Sequence, residues 1–178
     1  MATIDLIVLG MLKRGSLSAY DIQKLVEYRN ISKWVKISTP SIYKKVIQLE
    51  EKGFIKSSIV KEGKMPEKAV YSLTEAGAKE FALLMDEIAS QPIHFFLDFN
   101  AVIVNLSCLP PDEQRACLDN IAGNVETLKT YLEDNIREKE TAPDIPETGM
   151  AVLRQQYILA QAIETWLASL RDHGLPSA

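Results

Sequence analysis

The chain is poor in the residues that build covalent or metal-held frameworks. Two cysteines in 178 residues, Cys108 and Cys117, cannot make a disulfide framework and lack the spacing of a zinc site. They read as buried thiols, with redox sensing as the alternative. His94 and His173 have no cysteine or second histidine at ligand spacing, so no metal is expected. No apolar run approaches the roughly 20 residues of a membrane-crossing helix. The opening stretch MATIDLIVLGMLKRG lacks the basic region and small-residue cleavage site of a signal peptide and reads as a first core helix. The cytoplasm is therefore the expected compartment. There is no glycine-rich phosphate loop and no G-x-S-x-G nucleophile turn. Carboxylates are plentiful, but they fall at helix starts and on solvated faces, so neither an enzyme nor a cofactor is expected.

What is present is a globular composition, 47% hydrophobic and 25% charged, long enough to bury a core in one or two domains. The net charge of −4 argues against a polyanion partner only until its distribution is read. Residues 1–90 carry 14 Lys and Arg against 11 Asp and Glu, while residues 91–178 carry 6 against 13. Within 13–68 there are 13 basic and 6 acidic side chains. Halves of opposite sign imply separate roles.

In the first half, residues 3–13 form an apolar helix broken by RGSL. A second helix runs from about Ser18 to Tyr28, with Ser18 as cap and Asp21 at the favourable end of the dipole. The stretch STPSIYKKVIQLEEKGF, residues 38–54, gives a third. Thr39 can cap it, Pro40 suits the first helical position, and Gly53 suits a left-handed C-terminus. Ile42, Val46 and Leu49 make its apolar stripe, while Ser41, Lys44, Lys45 and Gln48 share a polar front with no carboxylate in the first turn. Strand-forming residues follow around a loop at 62–67, with Lys61, Lys64 and Lys68 near its tip. A last helix is capped by Thr74. Three helices, a hairpin and a return helix are the order of a winged helix-turn-helix, whose third helix enters the DNA major groove. Lys44 and Lys45 could neutralise phosphates or reach guanine edges, Ser41 and Gln48 could address bases, and Thr39 is a further DNA-contact candidate. The basic hairpin is the matching second contact.

The second half reads as all helix. Phe95, Phe96 and Phe99, with Trp166, are candidates for an aromatic effector pocket, although buried packing is the plainer use of the phenylalanines. Pro111 opens a long helix in which Leu118, Ile121, Val125, Leu128 and Leu132 recur at steps of three and four. A second long helix carries Leu153, Tyr157 and Leu167 at similar spacing. Such a helical pair packs on its own chain or on a partner's. The preferred reading is a dimer interface, because helix-turn-helix proteins meet two half-sites through two-fold symmetry. The expected architecture is mainly α with a small β-hairpin, comprising a winged helix-turn-helix at 1–90 and an all-α dimerisation domain at 91–178.

These residues resemble the PadR family of bacterial transcriptional regulators, in its longer form with a helical C-terminal domain. The resemblance covers about the first 80 residues. It is carried by IVLGML, by SAYDI with Tyr20, by Trp34 followed by SIYKKVIQLEEKGFI, and by KMPEKAVYSLTEAG. It implies a dimeric repressor, less often an activator, on an inverted repeat of double-stranded DNA. It also implies that Tyr20 and Tyr43 dock the phosphate backbone and that a small aromatic effector lowers DNA affinity. Three positions depart from the family pattern: Ala19 replaces a glycine, SLS replaces a Gly-Pro pair upstream, and Met65 replaces the basic residue before the wing proline. The competing class is a winged-helix module that binds protein and not DNA. An acid-free cationic face argues against it, since protein partners favour aromatic or aliphatic patches.

Overall fold

The computed structural model describes residues 2–35, 37, 40–61 and 67–173, with side chains to 171. Two compact units divide the chain, Met1–Ile93 and His94–Ala178. The first contains α1 (Ala2–Leu12), α2 (Ala19–Tyr28), a 3₁₀ turn (Ile31–Lys33), α3 (Ser41–Glu51), β1 (Ile55–Val60), β2 (Lys68–Leu73) and α4 (Glu75–Ala89). This is the expected winged order of helices, hairpin and return helix. Val8, Leu9, Ile22, Val26, Ile42, Val46 and Leu49 are fully buried at its centre, each side chain contributing about 1.5–3 kcal/mol against exposure.

Local chemistry sets the element ends. Ser18 begins α2 with a capping box. Its Oγ accepts from the Asp21 N–H at 3.1 Å, and the Asp21 carboxylate accepts from the Ser18 N–H at 3.1 Å. At the other end of α3 the Gly53 N–H donates to the Glu50 carbonyl and the Phe54 N–H to the Leu49 carbonyl, at 2.8 and 3.0 Å. This paired closure needs a left-handed residue, and Gly53 has φ +74°. Pro40 stands one position earlier than expected, just before the helix, and makes no side-chain cap. Thr39, the expected cap, lies outside the described residues, as does Lys64.

The wing is an antiparallel pair running from Ile55↔Leu73 to Val60↔Lys68. Leu17 extends it by exchanging two backbone hydrogen bonds with Tyr71, at 3.1 and 2.9 Å. Thr74 caps α4 by accepting from the Gly77 N–H at 3.0 Å, while its hydroxyl donates to the Gly53 carbonyl at 2.7 Å. Gly77 is needed here, because a Cβ would fall 1.9 Å from the Phe54 carbonyl oxygen.

The second unit contains a short α5 (Asn100–Ile103), a 3₁₀ turn (Leu106–Cys108), α6 (Pro111–Glu140) and α7 (Glu147–His173). Pro111 occupies the first helical position of α6, followed by Asp112 and Glu113 at the positive end of the dipole. Helices α6 and α7 form an antiparallel hairpin. Leu118, Ile121, Val125, Leu132, Leu153 and Leu167, assigned to a dimer interface from their spacing, are buried within this hairpin. The spacing was that of an intrachain seam, which has the same period as an intermolecular one. Two other expectations change. Phe95 and Phe96 are 67% and 87% exposed rather than packed, and Cys108 is exposed while Cys117 is half-buried.

The capping box gives a pH signature. Hydrogen bonds from Ser18 hold the Asp21 carboxyl below its ordinary value of 3.8, with Lys68 adding a smaller attraction. A depressed folded-state value means the stabilisation is present above the unfolded value and lost as pH falls through the folded one. Asp21→Asn should lower stability at pH 7 by on the order of 1 kcal/mol, as for a cap. The gap between variant and wild-type melting temperatures should close in strong acid.

Candidate nucleic-acid interface

The outward face of α3 is rotated from the one the sequence pattern suggested. Tyr43, Lys44, Ile47 and Glu51 are exposed, Ser41 and Gln48 are half-buried, and Lys45 is buried. The Lys45 ammonium lies 2.7 Å from the Asp5 carboxylate of α1, with side-chain exposures of 9% and 13%. It is therefore not available to a phosphate, and the expectation of a DNA contact there is corrected. A lysine between two aliphatic positions looked solvated because its partner is forty residues away in sequence.

A neighbouring cation takes up the outward role. Tyr20 of α2 is 57% exposed and Tyr43 is 45% exposed. Between them stands Lys24, whose ammonium lies 5.5 Å from the Tyr20 ring centroid and 3.2 Å from Glu27. Glu27, Tyr20 and Tyr43 all favour its charged form, the Glu27 hydrogen bond most. The sequence reading missed Lys24, although its place one turn after Tyr20 was the available signal. The first turn of α3 carries no acid, and the positive end of a helix favours an anion. In the wing, Lys56, Lys61 and Lys68 are exposed. Glu50 points back into the unit and accepts the Ser57 N–H at 2.9 Å, joining α3 to the first wing strand.

The α6–α7 hairpin has two unlike edges. Asp119, Glu126, Lys129, Glu133 and Glu140 lie along one flank of α6 at helical steps. They meet α7 through Asp119–Arg171, Lys129–Glu164 at 2.8 Å, Glu133–Tyr157 and Glu140–Arg154 at 3.6 Å. Tyr157, placed in a dimer interface from its spacing, thus bonds within its own chain. The same periodicity puts Leu128 and Tyr131 of α6 and Trp166 of α7 on the opposite edge, where they are 45%, 38% and 38% exposed. Of the expected effector residues, Phe99 and Trp166 come together, with ring centroids 6.1 Å apart. Phe96 stacks instead on His94 at 6.0 Å. Among the described residues no group of three His, Cys, Asp or Glu side chains could hold a metal ion, and no helix is long and apolar enough to cross a membrane.

The family model for the transcriptional regulator PadR-like family matches residues 8–83, from α1 through the wing and into α4. Over these residues the chain is similar to the PadR-like transcriptional regulators. The negative transcriptional regulator PadR of Bacillus subtilis (strain 168) is 27% identical over 146 residues, spanning 75% of this chain and 79% of that protein. The crystal structure of Bacillus subtilis PadR in complex with operator DNA superposes with a TM-score of 0.76 at 25% identity, covering 94% of this chain and 96% of that one. The structure of the same protein with p-coumaric acid gives a TM-score of 0.75 at 22% identity, covering 94% and 92%. The PadR-like fold therefore extends through the C-terminal helices.

Lys45 should behave as a folding residue. Lys45→Ala leaves Asp5 buried without its counter-charge and should cost about 3 kcal/mol in urea unfolding. The paired replacement of Asp5→Leu with Lys45→Met should recover most of that loss.

Proposed function

We propose that this chain is a dimeric repressor that binds an inverted repeat in promoter DNA and is released by a small aromatic effector. The observation that carries the DNA reading is the outward cluster of Tyr20, Lys24, Tyr43 and Lys44 across α2 and α3, beside an acid-free helix N-terminus. Two tyrosine hydroxyls and two ammonium groups are phosphate-binding chemistry, and the helix end adds its own partial charge. Half-buried Ser41 and Gln48 sit at the margin of this face, and Lys68 with the rest of the wing supplies a second basic contact. The relative described as a negative regulator, with a structure on operator DNA, supports repression as the output.

The dimer is assigned to the edge of the hairpin bearing Leu128, Tyr131 and Trp166, since the opposite edge is occupied by its own ion pairs. An aromatic effector fits beside Phe99 and Trp166, where a third ring can stack. The related structure with p-coumaric acid supports that ligand class.

Fluorescence anisotropy on DNA upstream of the chain's own gene, against a scrambled duplex, tests the reading. Lys44→Ala should weaken binding and reduce the salt slope by about 0.9 for each phosphate no longer neutralised, with melting unchanged. An unaltered slope would place the DNA face elsewhere. Leu128→Asp should give a monomer by light scattering, and a persistent dimer would reject the assigned edge.

A further inference from the structure

The exposed stripe of α3 contains one side chain that phosphate binding does not explain. Ile47 is 54% exposed. Successive helical residues turn by about 100°, so Ile47 projects between the directions of Tyr43 and Lys44, near the middle of the outward stripe. The apolar packing of α3 on the core is made by Ile42, Val46 and Leu49, all fully buried, so Ile47 is not needed there. Its neighbours on that stripe are Tyr43, Lys44 and, one turn on, Glu51, and a branched hydrocarbon among such polar groups has no affinity for phosphate.

We propose that Ile47 determines sequence specificity by packing against the 5-methyl group of a thymine in the major groove. The proposal rests on the DNA-binding reading above and adds which base chemistry the reading helix selects. Among the base edges exposed in the major groove, the thymine methyl is the apolar feature. Tyr43 and Lys44, on either side of Ile47, hold the helix to the backbone, and Ile47 then meets the base edges between those anchors. The favoured half-site contains a thymine opposite the second turn of α3, and cytosine at that position offers Ile47 no methyl group.

The test removes the methyl and nothing else. Duplexes are first enriched from a random pool by the full chain, then synthesised with either thymine or uracil and compared by anisotropy. The wild-type chain should bind the thymine duplex about fourfold more tightly for each methyl buried, and about fifteenfold for two symmetric half-sites. Ile47→Ala should bind the two duplexes nearly equally, whereas Lys44→Ala should weaken both and keep their ratio. Ile47→Val should retain much of the preference. Because Ile47 is exposed, its loss leaves the core intact, and an unchanged melting temperature checks this. Equal binding of thymine and uracil duplexes by the wild-type chain would overturn the role of Ile47 while leaving DNA binding in place. A preference that survives in Ile47→Ala would assign the methyl recognition to another residue. Failure to enrich any duplex would overturn the DNA reading itself, and this inference with it.

Discussion

The ion pair between Lys45 and Asp5 sets which residues α3 shows to solvent. Neither charge can be buried without the other, so a rotation of α3 that separated them would leave two uncompensated charges in the core. Such a pair adds little net stability compared with apolar residues of similar size, but it selects one orientation among those an apolar stripe alone would permit. Ile42, Val46 and Leu49 hold α3 against the core, and Lys45 fixes its angle. Tyr43, Lys44 and Ile47 face outward as a consequence. Gly53 and Thr74 then close the end of α3 onto the start of α4, and Glu50 ties it to the first wing strand. Helix α3 is thus anchored along its inner side and at its C-terminal end.

The fold was legible where local chemistry decided it. Ser18 with Asp21, Thr74, Pro111 and Gly53 marked element ends, and the three-four recurrence of aliphatic residues marked helices. The site was only partly legible, because the rotation of α3 depends on a charge in α1 that no local pattern connects to it. Lys44 and Lys45 are adjacent in sequence and chemically alike, yet one is exposed and the other buried. The C-terminal seam shows a related limit. Period alone distinguishes a packed face from a solvated one, not whether the packing partner belongs to the same chain. Leu128 stands apart from Leu118, Ile121 and Val125 only once the position of α7 is known.

The two edges of the C-terminal hairpin divide the work that one amphipathic stripe was expected to do. On one edge, carboxylates of α6 meet cations and a tyrosine hydroxyl of α7. Lys129, bound to Glu164 and Glu126, is held firmly in its charged form and Glu164 is correspondingly held ionised. On the other edge, a leucine, a tyrosine and a tryptophan are partly exposed. The acidic excess of the C-terminal half is therefore largely taken up by internal pairing and solvated faces.

On the proposed reading, the DNA face and the dimer edge respond oppositely to ionic strength. A cationic face across α2 and α3 that binds nucleic acid loses affinity as added salt lowers the entropy gained by releasing condensed counterions. An apolar edge made by Leu128, Tyr131 and Trp166 is little affected by simple salts and is strengthened by ions such as sulfate that are excluded from protein surfaces. On that reading a rise in ionic strength would detach the regulator from DNA while keeping its subunits together, leaving an assembled dimer ready to rebind when the salt falls.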